Sequence, residues 1–484
     1  MRLSNRITLT DSSKQTFASA LALSLGEIPG IRSVTFTGSF VEKPGLTGIS
    51  DIDVIVIVDA LTEEIFSACR KATTAISPAL LGLPSHQLRI NDTFGPLKFD
   101  EPGLVVVHLM IYDLQGHREH VLKSPFTCLD WERSTHVLGS SLRDIYPVLA
   151  LFPRHFLDAR RSLNNYLDDL AAGSISFRRY EFSSSGCCEQ AERLNLDPRH
   201  QGEYAYHIVN NLVANYAKLV AGRNHKLSQQ EFFAFWRDYL PACIPFIEWF
   251  SKIAAIKQER ECSFPVDTIS HTREFITAFA DHLNDTWQRR ATRHLFLRHG
   301  KTALNDGSFL GQRRDPGILT LPPPLAARPS RIFSSPAIRC QTTAAALAPA
   351  VFIEVDPRLH EIDYGSAEGL SIAKLRTERP ELFAAWSRHE DPRFPGGENT
   401  SDVHERLQSF IAGLDERPSL VVSHNVVLRC LLGAGLNIPR HQWHLIPVDH
   451  LETVALLRLD GRSYLDLTPE QVARITDALV AHRI

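Results

Sequence analysis

The chain has 484 residues, of which 44% are hydrophobic and 22% charged, with a formal net charge of −3. That length predicts two or three domains, and the near-neutral balance argues against a dedicated nucleic-acid coat or a strongly membrane-attracted surface. No run of about 18 apolar residues is present to span a bilayer, and Met1-Arg-Leu-Ser-Asn-Arg-Ile7 carries no apolar signal core. Eight cysteines, at 69, 128, 187, 188, 243, 262, 340 and 430, form neither Cys-x-x-Cys pairs nor Cys/His zinc spacings. The expectation is a soluble cytoplasmic enzyme of mixed α/β and α+β multidomain class.

In chain order, a helix is predicted over 11–27. Two β-rich runs follow, Ser33-Val-Thr-Phe-Thr-Gly38-Ser39 and Ser50-Asp51-Ile-Asp53-Val-Ile-Val-Ile-Val-Asp59, around a loop containing glycine and proline. Asp51 and Asp53 are two apart and so share one strand face. Two like charges side by side are unfavourable unless a cation lies between them, and hard oxygen ligands suit Mg²⁺. Gly-Ser, eleven residues, then Asp-x-Asp resembles the signature of the DNA-polymerase-β-like nucleotidyltransferase superfamily over residues 30–115. The resemblance implies that Gly38 lets the backbone approach a nucleoside triphosphate and that Ser39 bonds a phosphate oxygen. It also implies that Asp51 and Asp53 hold metal ions. A third carboxylate is expected on the strand Gly103–Asp113. Its middle carries His108, Asp113 lies on the opposite face by parity, and Asp100 and Glu101 precede it.

From Ser124 onward the pattern turns helical. Apolar residues recur at three- and four-residue spacing over 130–138 and 156–170, and Glu203–Val220 is an amphipathic helix. Phe232–Trp236 and Phe246–Phe250 read as aromatic core, Ser183–Cys188 as a loop, and 269–287 as a last helix. This region resembles the substrate-side subdomain of small nucleotidyltransferases, where Tyr206, His207 and Asn211 would line an acceptor pocket or simply pack.

The last third opens on His294-Leu-Phe-Leu-Arg298-His299-Gly300-Lys301, a buried apolar strand ending in an arginine, a histidine and a glycine. Four further blocks follow in order. They are Phe333-Ser-Ser-Pro-Ala-Ile-Arg339, Leu359-His-Glu361-Ile-Asp-Tyr-Gly365, Phe394-Pro-Gly-Gly-Glu398 and Ser419-Leu-Val-Val-Ser-His424. Together they resemble the histidine phosphatase superfamily, with its phosphoglycerate-mutase-like three-layer α/β fold. The resemblance implies His299 as nucleophile, forming a phosphohistidine. Arg298, Arg339 and His424 would surround the phosphoryl oxygens, and arginine suits this because its fork donates two hydrogen bonds and keeps its charge. Glu361 would act as general acid and base, which requires a pKa raised by burial. Asn305 and Gln312 are expected to bind substrate, and Gly311-Gln312 with Asp315 resembles the family's substrate-side loop. Mutases of this family carry a lysine-rich insertion near the acid. Here Glu361 passes directly into Asp-Tyr-Gly, which points to a phosphatase. Asn425 stands where the family commonly has glycine.

The predicted organisation is therefore a nucleotidyltransferase-like domain over 1–122, a helical substrate-side or linking domain over 123–290, and a histidine phosphatase domain over 291–484. The leading reading is a bifunctional enzyme. It would hydrolyse a phosphorylated small molecule without a cofactor and transfer a nucleotide with Mg²⁺. One alternative makes the first domain a non-catalytic nucleotide-binding regulator, favoured by His108. Another is an RNA-end or toxin-control enzyme, disfavoured by the low positive charge.

Overall fold

The computed structural model describes residues 7–47, 49–96, 103–184, 186–222, 225–259, 264–325 and 329–482. Asp100, Glu101, Gly48, Ser185 and Cys262 lie outside them. The chain divides into two compact units, Met1–Leu283 and Asn284–Ile484. No helix among the described residues is long and apolar enough to cross a membrane.

In the first unit the helix Ser12–Gly26 is set by Asp11, whose side chain accepts from the amides of Ser13 and Lys14, filling two of the donors every helix start leaves open. The strands are β1 Ile31–Thr37, β2 Ile52–Val58, β3 Gln87–Asn91, β4 Leu104–Asp113 and β5 Val137–Gly139, in the order β3-β4-β2-β1-β5. β1 runs antiparallel to β2 and β5, while β4 runs parallel to β2 and β3. The Val/Ile run of β2 is covered on both faces, as its near-complete burial shows. Phe17, Leu21 and Leu25 of the first helix, Val34 and Phe36 of β1, and Val54 and Val56 of β2 share one core.

The middle third departs from the helical expectation in three places. Helix Pro125–Glu132 stops, and Val137–Gly139 becomes the edge strand β5 beside β1. The predicted helix over 156–170 is two pieces, His155–Asp158 and Leu163–Ala171, because Ser162 and Asn165 form a capping box that starts a new helix. The stretch around 183–188 is the tip of a long hairpin, β6 Ser174–Ser183 against β7 Gly186–Asn195. Half-buried Arg178, Tyr180 and Phe182 alternate along β6 with exposed Arg179, Glu181 and Ser183, a period of two that a helical reading overlooks. The aromatic clusters do form core. Trp236 meets Phe250 and Phe275 with ring centroids at 5.6 and 5.2 Å.

The second unit is built on a six-stranded sheet. Its strands are β8 Thr292–Arg298, β9 Arg331–Ser334, β10 Ile353–Val355, β11 Ser419–Ser423, β12 Thr453–Leu459 and β13 Arg462–Asp466, in the order β10-β9-β11-β8-β12-β13. β8 to β11 are mutually parallel, and β12 runs antiparallel to both of its neighbours, β8 and β13. The neighbours β8 and β11 end at one edge, where an open parallel sheet presents its ligand crevice.

Candidate active sites

In the second unit Arg298 is register partner to Ser423, so His299 and His424, each one residue further, emerge side by side. The His299 amide continues the ladder to the Ser423 carbonyl at 3.0 Å, and the two rings stand 5.2 Å apart by centroid. The Gly300 carbonyl, 2.7 Å from His299 Nδ1, can only accept. Hydrogen therefore sits on Nδ1 and the lone pair on Nε2. Burial pushes His299 down to about 3, helped by Arg339 and Arg298, so the ring is neutral across the physiological range. His424 is pushed well below its usual value, by burial first and then by Arg339. Its Nε2 lies 2.8 Å from Ser335 Oγ.

Arg339 is 1% exposed. Its Nη2 donates to the Gly311 carbonyl at 2.8 Å and its Nη1 to Asp315 Oδ1 at 3.2 Å. Arg298 Nη1 donates to the Val448 carbonyl at 2.6 Å. The Nε donors of both arginines are buried without a partner among the described residues, the condition of groups that await an anion. Glu361 is buried, and burial raises its pKa against the pull of the Ile362 and Val426 amides.

Gln312 spends its amide on the Glu361 carbonyl at 2.8 Å, so it positions the acid. Asn305 Oδ1 accepts from the Thr302 amide at 2.8 Å, which leaves its NH₂ for a ligand. Gly311 and Asp315 both hold Arg339 in place. Lys301 is exposed.

Sequence reasoning missed three members of this neighbourhood. Thr343 Oγ1 accepts from the Gly300 amide at 3.0 Å. Arg406 ties the Glu361 carbonyl to Glu398. His450 Nδ1 donates to the His299 carbonyl at 3.0 Å. The last was findable, because an antiparallel strand beside β8 must begin where β8 ends, which brings its leading loop over His299.

His294, His299 and His424 are buried, and burial holds all three below their usual range, His294 at about 4. Below pH about 6.5 the unfolded chain takes up protons that the folded chain refuses. Stability is therefore full above that pH and falls as the solution is acidified, by up to roughly 1.4 kcal/mol per pH unit for each histidine. Thermal melts between pH 7 and 4.5 should show a steadily falling Tm; a flat profile would contradict the neutral-ring assignment.

The first unit has a second constellation. Gly38 follows β1 with φ +72°, and a Cβ there would lie 2.4 Å from Asp53 Oδ2. Only glycine permits that approach. Gly38→Ala should cost about 1–3 kcal/mol in urea unfolding and displace Asp53. Ser39 begins the one-turn helix Ser39–Glu42. Lys14, which the sequence reading left unmarked, anchors that turn by donating to the Phe40 and Lys43 carbonyls, both at 2.8 Å.

Asp53 is register partner to His108 of β4, and His108 Nδ1 lies 2.9 Å from Asp53 Oδ1. Asp113 does not join them; it caps helix Leu114–Lys123 by accepting from the Gly116 amide at 2.6 Å. Asp51, Asp53 and His108 offer ligand atoms all within 4.8 Å of one another. The Thr93 carbonyl, 2.8 Å from His108 Nε2, places hydrogen on that nitrogen. The Asp53 carboxylate can likewise only accept, so Nδ1 donates to it. A divalent cation bound there would displace that hydrogen and take the Nδ1 lone pair, with the backbone acceptor orienting the ring as for a metal-binding histidine. Two carboxylates and an oriented imidazole fit a divalent cation. Gly38, Asp53 and His108 line a cavity of about 590 Å³. His207 and Asn211 also line it, whereas Tyr206 stacks on Phe250 at 5.5 Å.

Comparison with known proteins places residues 294–468 under the description "Histidine phosphatase superfamily (branch 1)". A Mycobacterium tuberculosis protein described as bifunctional is 35% identical over 162 residues, 30% of this chain and 44% of that protein. The chain thus spans under half the length of that relative. The glucosyl-3-phosphoglycerate phosphatase of Mycobacterium tuberculosis is 30% identical over 177 residues, 32% of this chain and 79% of the relative. A solved structure of the mycobacterial glucosyl-3-phosphoglycerate phosphatase is 27% identical, covering 37% of this chain and 98% of its own, at TM-score 0.32.

Proposed function

The chain belongs to the histidine phosphatase superfamily through residues 294–468, and from that premise we propose that its second unit hydrolyses phosphate monoesters of small molecules. The observation that carries this is the His299 ring, neutral and pinned through Nδ1, beside a buried Glu361 of raised pKa. Nε2 attacks phosphorus in line. The P–N bond forms and the ester P–O bond breaks, while Glu361 gives its proton to the leaving oxygen. Arg298 and Arg339 meet the charge on the equatorial oxygens, with His424 and the Asn305 amide as neutral donors. Water then attacks the phosphohistidine, Glu361 takes its proton, and the P–N bond breaks to release phosphate. Release of phosphate from p-nitrophenyl phosphate, unaffected by EDTA, tests this reading, because every charge it uses is a protein side chain.

For the first unit the same reading assigns nucleotidyl transfer from a nucleoside triphosphate to a hydroxyl-bearing acceptor. It is supported by the close approach of Gly38 to Asp53 and by the Asp51, Asp53 and His108 cluster at one cavity. Mg²⁺ held by Asp51 and Asp53 would supply charge neutralisation at the reacting phosphate. The chain's own contribution is placement. Gly38 and Ser39 receive the phosphate tail, and the hydroxyl oxygen bonds the α-phosphorus as the bond to pyrophosphate breaks and the hydroxyl proton passes to water. Pyrophosphate release with one triphosphate and a suitable acceptor tests it.

A further inference from the structure

The cavity of the first unit holds its positive charge in two separate places. One lies near the Gly38–Ser39 turn. There Lys226 meets Glu42 at 2.5 Å, and Lys218 and Arg133 share Asp130. Arg133 is also within electrostatic reach of Glu42. The second lies on the His108 side. The Thr93 carbonyl holds His108, and the next residue, Phe94, exchanges both backbone hydrogen bonds with Arg178, at 2.7 and 3.0 Å. Arg178 and Arg160 share the one carboxylate of Glu189, and both arginines line the cavity. Glu119 is also within electrostatic reach of Arg160 but is bonded to Lys123 at 3.0 Å, so three cations face two carboxylates and this end keeps one positive charge in excess.

A third group stands beside the pair. His120 is 6% exposed and lies between the rings of Tyr112 and Trp131, with centroids at 5.0 and 4.9 Å. It lines the cavity, and neither ring nitrogen has a hydrogen-bond partner among the described residues. A buried imidazole with both nitrogens idle is costly unless a ligand or water engages it.

In-line displacement fixes what each end can hold. Pyrophosphate leaves on the side of Gly38 and Ser39, so the attacking hydroxyl must enter from the opposite side of the α-phosphorus, past Asp53 and His108. We propose that the acceptor bears a phosphate group, received by Arg160 and Arg178 with His120 as an additional donor. This rests on the nucleotidyl-transfer reading and names the acceptor's class: a phosphorylated alcohol. Paired guanidinium forks favour the three oxygens of a phosphate over a neutral hydroxyl.

The test is calorimetry on the full chain with Mg²⁺ and the α,β-methylene analogues of the four nucleoside triphosphates, which cannot release pyrophosphate. Titration with inorganic phosphate should then show two binding events. Arg339→Gln should remove the one in the phosphatase pocket. Arg178→Gln, and independently Arg160→Gln, should weaken the other at least tenfold, and the triphosphate affinity of each variant reports that its cavity still folds. Phosphate affinity within twofold of the parent in both variants overturns the proposal, as does acetate competing as well as phosphate. If phosphate still binds through Arg178 but no triphosphate analogue binds at all, the transfer reading falls and the acceptor assignment with it.

Discussion

His299→Ala is expected to lower phosphate release from p-nitrophenyl phosphate by about 10⁴-fold or more, because removing a nucleophile removes the covalent route entirely. The arginines would still bind the ester, so KM should move far less than kcat. Glu361→Gln should behave differently, and the difference identifies its role. Nitrophenolate leaves without a proton, whereas an alkoxide does not. The variant should therefore lose about 10²–10⁴-fold on an alkyl phosphate and much less in the first step on the nitrophenyl ester. Its second step lacks the base, so phosphoenzyme should accumulate and be recoverable under alkaline quench. Equal losses on both esters, with no trapped intermediate, would remove Glu361 from the proton-transfer role. The buried setting that raises its pKa also sets the sign of the pH dependence. The acid form is needed first, so activity falls as pH rises through the raised value, while His299, at about 3, imposes no acid limb down to about pH 4.

The phosphatase centre was legible because its chemistry sits at strand ends. Apolar runs identify β8 and β11, and a parallel sheet brings the residues just past them together, so Arg298, His299 and His424 could be placed at one sheet edge, while their roles came from the family resemblance of the five ordered blocks. Residues that act by holding others were not legible. Gln312 and Arg406 converge on the Glu361 carbonyl from separate loops, a meeting that no local pattern encodes. In the first unit Asp51, Asp53 and His108 were visible for the same reason as β8 and β11: β2 and β4 are regular strands in register. The cationic wall was not visible. Arg160 follows a short helix, and Arg178 lies in a hairpin strand to which the sequence pattern assigns no element of its own. Their shared carboxylate, Glu189, comes from the facing strand.

Asp51→Asn combined with Asp53→Asn should abolish pyrophosphate release, by about 10³-fold or more, measured by phosphorus NMR with His299→Ala present so that products are not dephosphorylated. Asn keeps the shape of Asp and one acceptor oxygen while deleting the negative charge, so a loss reports lost charge and ligand oxygen and not lost packing. Triphosphate binding should persist more weakly, since Gly38 and Ser39 are untouched. His108 then decides between a working site and a regulatory one. If its lone pair at Nδ1 serves as the third ligand, His108→Asp should retain transfer with metal dependence shifted toward Mg²⁺, because carboxylate oxygen is the harder donor. His108→Phe should remove both the ligand and the brace to Thr93 and fail. Pyrophosphate release unaffected by the paired Asn substitutions would place the chemistry elsewhere. A triphosphate that binds tightly, never turns over with any phosphorylated alcohol, and alters the phosphatase rate would instead make the first unit a sensor.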